Sequence, residues 1–122
     1  MTEKTILTVD DSRTMREMLM LALQDAGFRV LQAEDGLIGL QVLKGQRADV
    51  IITDINMPRL DGFGFIEHVR RDVTHRAVPI LVLTTESDAE KKNRARTAGA
   101  TGWIVKPFHP VKLVDAIRRV AG

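Results

Sequence analysis

Five times along these 122 residues a short aliphatic, β-branched run gives way to a stretch with apolar groups at helical spacing. Runs of this length suit strands buried on both faces. Strands alternating with helices imply a parallel sheet, right-handed crossovers and helices on both faces. The clearest run is Val50-Ile51-Ile52, inside a strand expected over 49–54. The others fall at Thr5–Val9, Phe28–Ala33, Pro79–Thr84 and Gly102–Lys106. The spacing predicts helices over Arg13–Ala26, from Asp35 or Gly36 to near Gly45, over Phe63–Val69, over Ser87–Ala98 and from Pro110 onward.

Punctuation supports these bounds. Ser12 stands where an N-cap belongs, Gly27 at a C′ position, Gly99 at a helix end and Pro110 at N1. Met15, Met18, Leu19, Ala22 and Ala26 form a helical stripe that Met20, Leu21 and Leu23 widen, so a well-buried first helix with core methionines is expected. The second helix offers Leu37, Ile38, Leu40, Val42 and Leu43. The fourth is the least apolar, with Ala89, Ala95 and Ala98 as its small contacts.

Asp54 ends the central run, and Asn56, Met57-Pro58 and Asp61-Gly62 after it read as loop and turn. Open α/β sheets place ligands at the carboxyl ends of their strands. The residues at those ends are Asp10-Asp11, Asp54, Thr84 and Lys106. Taken alone, Asp10-Asp11 reads as an Asx turn before a helix, and Lys106 as a surface charge. Together they make a cluster of carboxylates that repel one another and call for a cation. There is no cysteine, and His68, His75 and His109 are scattered. Only oxygen ligands remain, which favours Mg²⁺. A carboxylate beside Mg²⁺ can attack phosphorus and form an acyl phosphate. Lys106 would add a second positive contact, and the Thr84 hydroxyl would donate to a phosphoryl oxygen.

The same residues lie in four longer motifs: Val9-Asp10-Asp11-Ser12-Arg13, Asp54-Ile55-Asn56-Met57-Pro58-Arg59-Leu60-Asp61-Gly62, Leu83-Thr84-Thr85-Glu86 and Gly102-Trp103-Ile104-Val105-Lys106-Pro107-Phe108. On these the chain resembles the response-regulator receiver domains, the CheY-like family, over essentially its whole length. The resemblance implies a flavodoxin-like (βα)5 sheet in the order 2-1-3-4-5. It implies that Asp54 accepts a phosphoryl group from a CheA-like histidine kinase. Asp11, Asp54 and the main-chain carbonyl of Asn56 would ligate Mg²⁺, with Asp10 supporting the ion and its waters. Thr84 and Lys106 would contact the phosphoryl group, Trp103 would be the switch aromatic, and Lys106-Pro107 would be cis. Two positions depart from the common pattern. Trp103 stands where Tyr or Phe is usual, and Thr85 stands where a smaller residue would leave the phosphoryl group more open.

The expected function is therefore a stand-alone signalling protein occupying residues 1–122 as one receiver domain, with no output domain. It would not be an enzyme beyond its own phosphorylation and dephosphorylation. Its fourth helix, fifth strand and fifth helix would present a switched face to a flagellar motor switch protein or another effector, and a phosphatase could reset it. One alternative is a phosphate sink draining a shared kinase. Another is an Mg²⁺-dependent phospho-aspartate hydrolase, but no lid insertion is evident and Asn56 stands where a further carboxylate would serve. Charge is uneven: residues 1–61 hold seven Lys/Arg and ten Asp/Glu, net −3, whereas 62–122 hold eleven and six, net +5. An acid-lined site and a basic face fit that split. Lys91, Lys92, Arg94 and Arg96 read as a solvated helix face that, with Lys112, Arg118 and Arg119, could meet an acidic partner. No DNA-recognition element, leader peptide or membrane span is expected, so a cytoplasmic monomer is the expectation.

Overall fold

Val50, Ile51, Ile52 and Thr53 are at most 1% exposed, as a strand covered on both faces must be. They form β3 (Val50–Thr53) at the centre of a five-stranded sheet in a computed structural model that describes residues 3–122. Met1 and Thr2, part of the stretch read as lacking a leader, lie outside the described residues. The other strands are β1 (Thr5–Val9), β2 (Arg29–Ala33), β4 (Ile80–Thr84) and β5 (Gly102–Val105). All pairings are parallel and the order is β2-β1-β3-β4-β5. The helices are α1 (Arg13–Asp25), α2 (Gly36–Gly45), α3 (Gly62–Arg71), α4 (Ala89–Ala98) and α5 (Pro110–Ala121). Each expected element is present, with ends shifted by a residue or two, as fraying ends allow.

Alternation along the strands divides the core into two clusters. Ile6, Val50, Ile52, Leu81 and Leu83 face Leu19 and Leu23 of α1 and Leu113, Val114 and Ile117 of α5. Leu7, Val9, Ile51, Ile80 and Val82 face Leu43 of α2, Phe65, Ile66 and Val69 of α3 and Ala95 of α4. No described helix is long and apolar enough to cross a membrane.

Two helices bury less of their apolar surface than expected. In α1 only Leu19 and Leu23 are buried; Met18 is 46% and Leu21 71% exposed. The i, i+4 pair turns toward the sheet, and Leu21 falls on the far side of the same turn. Met15 and Met20 are only partly buried, so the methionines line the edge of the core and do not form it. In α2 the buried positions are Gly36, Gly39 and Leu43, while Leu37 is exposed. The helix lies so close that a Cβ on Gly39 would meet the Phe65 ring at 2.8 Å. Phe65 occupies the space a larger α2 side chain would need.

Candidate functional site

Sheet register builds the site. Val9 pairs with Thr53, and the Asp54 N–H donates to the Val9 carbonyl at 2.9 Å. The next residues, Asp10 and Asp54, therefore leave neighbouring strands side by side. One carboxylate oxygen from each of Asp10, Asp11 and Asp54 lies within 4.8 Å of the others. Asp10 and Asp54 are nearly buried, and Asp11 opens the cluster to solvent.

Each buried carboxylate is held at both oxygens. Asp10 Oδ1 accepts the Ser12 N–H at 2.9 Å, and Asp54 Oδ1 accepts the Ile55 N–H at 2.6 Å. Lys106 Nζ donates to Asp10 Oδ2 at 2.9 Å and to Asp54 Oδ2 at 2.8 Å. Lys106 leaves the end of β5, fixed by its N–H on the Thr84 carbonyl at 2.8 Å, and reaches back past β4. The peptide bond after it, Lys106-Pro107, is cis. Burial alone would lower the Lys106 amine, but its hydrogen bonds to Asp54 and Asp10 outweigh that and hold it above the usual lysine range. Burial pushes the Asp10 carboxyl above its ordinary range, with Lys106 and the Ser12 N–H offsetting only part.

Thr84 is fully buried at the end of β4, and its hydroxyl accepts the Glu86 N–H at 3.3 Å. Trp103 Nε1 donates to the Glu86 carbonyl at 3.0 Å. Asn56 donates its side-chain amide to Glu86 Oε1 at 3.1 Å, and Lys91 Nζ contacts the same oxygen at 3.1 Å. These two hydrogen-bond donors hold the Glu86 carboxyl below its usual range. The sequence reading quoted Glu86 only as part of a motif; the structure makes it the point where Thr84, Trp103, Asn56 and α4 meet. Arg16, not singled out at all, donates to the Asp10 carbonyl at 2.6 Å. The Glu86 contacts depend on segments brought together by the sheet, whereas Arg16 reaches back only six residues and no motif marked it.

The donor set suits a hard divalent cation. Three carboxylates against one lysine leave a formal −2, every candidate ligand is oxygen, and Asp11 is open to solvent. The histidines stay outside this site: His75 is buried elsewhere, with Nε2 2.8 Å from the Leu43 carbonyl at the end of α2.

Comparison with known proteins identifies the family. The family model of the response regulator receiver domain matches residues 6–118. The chain is 38% identical over 116 residues to the chemotaxis protein CheY-3 of Vibrio cholerae, covering 94% of this chain and 89% of that one. It is 45% identical to the chemotaxis protein CheY4 of Vibrio cholerae, with a TM-score of 0.94 and coverage of 98% and 99%. The receiver domain of a sensor histidine kinase from Pseudomonas aeruginosa has a magnesium ion coordinated in its active-site cleft; it is 28% identical, with a TM-score of 0.92 and 99% of both chains covered. Three separated segments converge on one acidic pocket, the sheet has the expected strand order, and the match spans nearly the whole sequence: the chain belongs to the response-regulator receiver family.

Proposed function

We propose that this chain is a phosphoacceptor switch in two-component signalling, with Asp54 as the acceptor and control of chemotaxis or the flagellar motor as its setting. The observation that carries this reading is the convergence of Asp10, Asp11, Asp54 and Lys106. An Asp54 carboxylate oxygen attacks the phosphorus of a phosphohistidine on a CheA-like kinase. The O–P bond forms, the P–N bond breaks, and the imidazole leaves with the electron pair. Asp10, Asp11, Asp54 and the Asn56 main-chain carbonyl are the residues that would hold Mg²⁺. When bound, the ion offsets negative charge on the transferring phosphoryl oxygens. Lys106, already 2.8 Å from Asp54 Oδ2, supplies a fixed positive charge at the same place.

The Thr84 hydroxyl stands at the end of β4. Turning it toward a phosphoryl oxygen releases the Glu86 N–H, and the Glu86 carbonyl is what Trp103 holds. A charge change at Asp54 thereby reaches Trp103 and the α4-β5-α5 face, as a population shift between two arrangements. The partners follow: a histidine kinase as donor, a motor switch protein or other effector on that face, and a phosphatase to reset it, all in the cytoplasm.

The test is incubation with Mg²⁺ and a small acyl phosphate, read by intact-mass spectrometry and Trp103 emission. The expected result is one added phosphoryl group, mapped to Asp54, with altered fluorescence, and neither effect in Asp54→Asn. Labelling that persists in Asp54→Asn would place the acceptor elsewhere. Rapid multiple turnover of a simple phosphate ester would favour a hydrolase.

A further inference from the structure

Outside the acidic pocket, the loop between Asp54 and α3 is fastened to the start of α2. Arg59, in the middle of that loop, has φ of 66°, the left-handed region that side chains rarely adopt. Such a conformation persists only where its surroundings over-determine it. Arg59 Nε donates to Asp35 Oδ2 at 2.7 Å, and Nη2 donates to the same oxygen. Asp35 is 2% exposed and is the N-cap of α2, where its Oδ1 accepts the Ile38 N–H at 3.0 Å. One buried carboxylate therefore serves the helix with one oxygen and the loop with the other.

The backbone repeats the connection one residue on. The Gly36 N–H donates to the Leu60 carbonyl at 3.2 Å, and a Cβ on Gly36 would lie 2.7 Å from that oxygen. At the loop's far end the Gly62 N–H donates to the Ile55 carbonyl at 2.8 Å. Asn56 sits inside this fastened segment.

We infer that Arg59 and Asp35 are positioning residues for cation binding: their pair sets the backbone of the loop that presents the Asn56 carbonyl, so Mg²⁺ affinity depends on a helix cap outside the pocket. The inference rests on Asp10, Asp11, Asp54 and Asn56 being the Mg²⁺ site. A charged partner removed at this distance acts on the metal through ligand orientation, without touching the ion.

Three variants separate the components. Asp35→Asn keeps a capping oxygen for Ile38 but removes the charge that Arg59 holds. Arg59→Gly removes the guanidinium and frees the positive φ. Arg59→Lys keeps the charge without the fork. Mg²⁺ dissociation constants from calorimetry on the full chain, together with amide exchange at residues 56–60, give readouts that need no phosphoryl transfer. Asp35→Asn and Arg59→Gly are each expected to weaken Mg²⁺ about tenfold and to speed exchange in the loop. The double variant should be no worse than either single, and Arg59→Lys should fall between. If wild type binds Mg²⁺ and both single variants stay within about twofold, the positioning role is overturned and the site stands, whatever the variants do to thermal stability. If wild type shows no saturable Mg²⁺ binding, the site itself is wrong.

Discussion

Lys106 shows what one residue can decide. It starts on β5 and ends between carboxylates from β1 and β3, a span of roughly 10 Å at ordinary strand spacing to the nearer of those strands. Its side chain is 11% exposed, so the two ion pairs sit in weakly screened surroundings. Removing one member of a buried pair leaves the others uncompensated. Lys106→Met is expected to lower stability by about 3 kcal/mol at pH 7 in urea titrations without Mg²⁺. Asp35 gives the pH prediction. Its burial would raise the carboxyl, but the Ile38 N–H and Arg59 outweigh that and hold it below the ordinary value. A depressed carboxylate contributes stability that is present above the unfolded value, about 4, and is lost as pH falls through the lower folded value. Urea midpoints of wild type should therefore drop more steeply below pH 4 than those of Asp35→Asn. Asp35 was legible as the start of a helix; its pairing with Arg59, across 24 positions, was not, because no local pattern encodes it.

At the scale of elements, the loop from Asp54 to α3 is tightly constrained. A Cβ on Gly62 would lie 2.2 Å from the Asp54 carbonyl oxygen and 2.7 Å from Ile55 Cα. Both neighbours are backbone and cannot swing aside, so the loop itself must move. Gly62→Ala is expected to lose about 3 kcal/mol, at the upper end of overpacking effects, and to weaken Mg²⁺ binding. Phe65 marks another close approach, filling the space over Gly39. Phe65→Ala should cost about 3–5 kcal/mol in the same urea titrations. Both glycines were visible in the sequence. How deeply each α2 residue would sit was not: Gly36, Gly39 and Leu43 are buried, Ile38, Leu40 and Val42 pack partly buried against the same core, and Leu37 is exposed. The close approach of Phe65 of α3 sets that depth at Gly39, and in α1 the outward turn of Met18 and Leu21 likewise depends on where Leu19 and Leu23 dock.

For the whole molecule, a cation that binds only the folded site must stabilise the fold by mass action. Mg²⁺ at about 100 times its dissociation constant should add about 2.7 kcal/mol and raise Tm accordingly; Asp11→Asn should lose much of that rise, read by thermal denaturation with and without the ion. The spacing of five apolar runs and five helical stretches determined the layered parallel architecture, because strands buried on both faces must be covered by the helices between them. It also determined that Asp10, Asp11, Asp54, Thr84 and Lys106 would share one edge, since parallel strands all end on the same side. Tertiary structure alone decided which oxygen met which donor, that Glu86 would join Thr84 to Trp103, and that Asp35 would hold Arg59. Those contacts depend on register, side-chain reach and helix docking, which arise only when segments far apart in the chain are packed against one another.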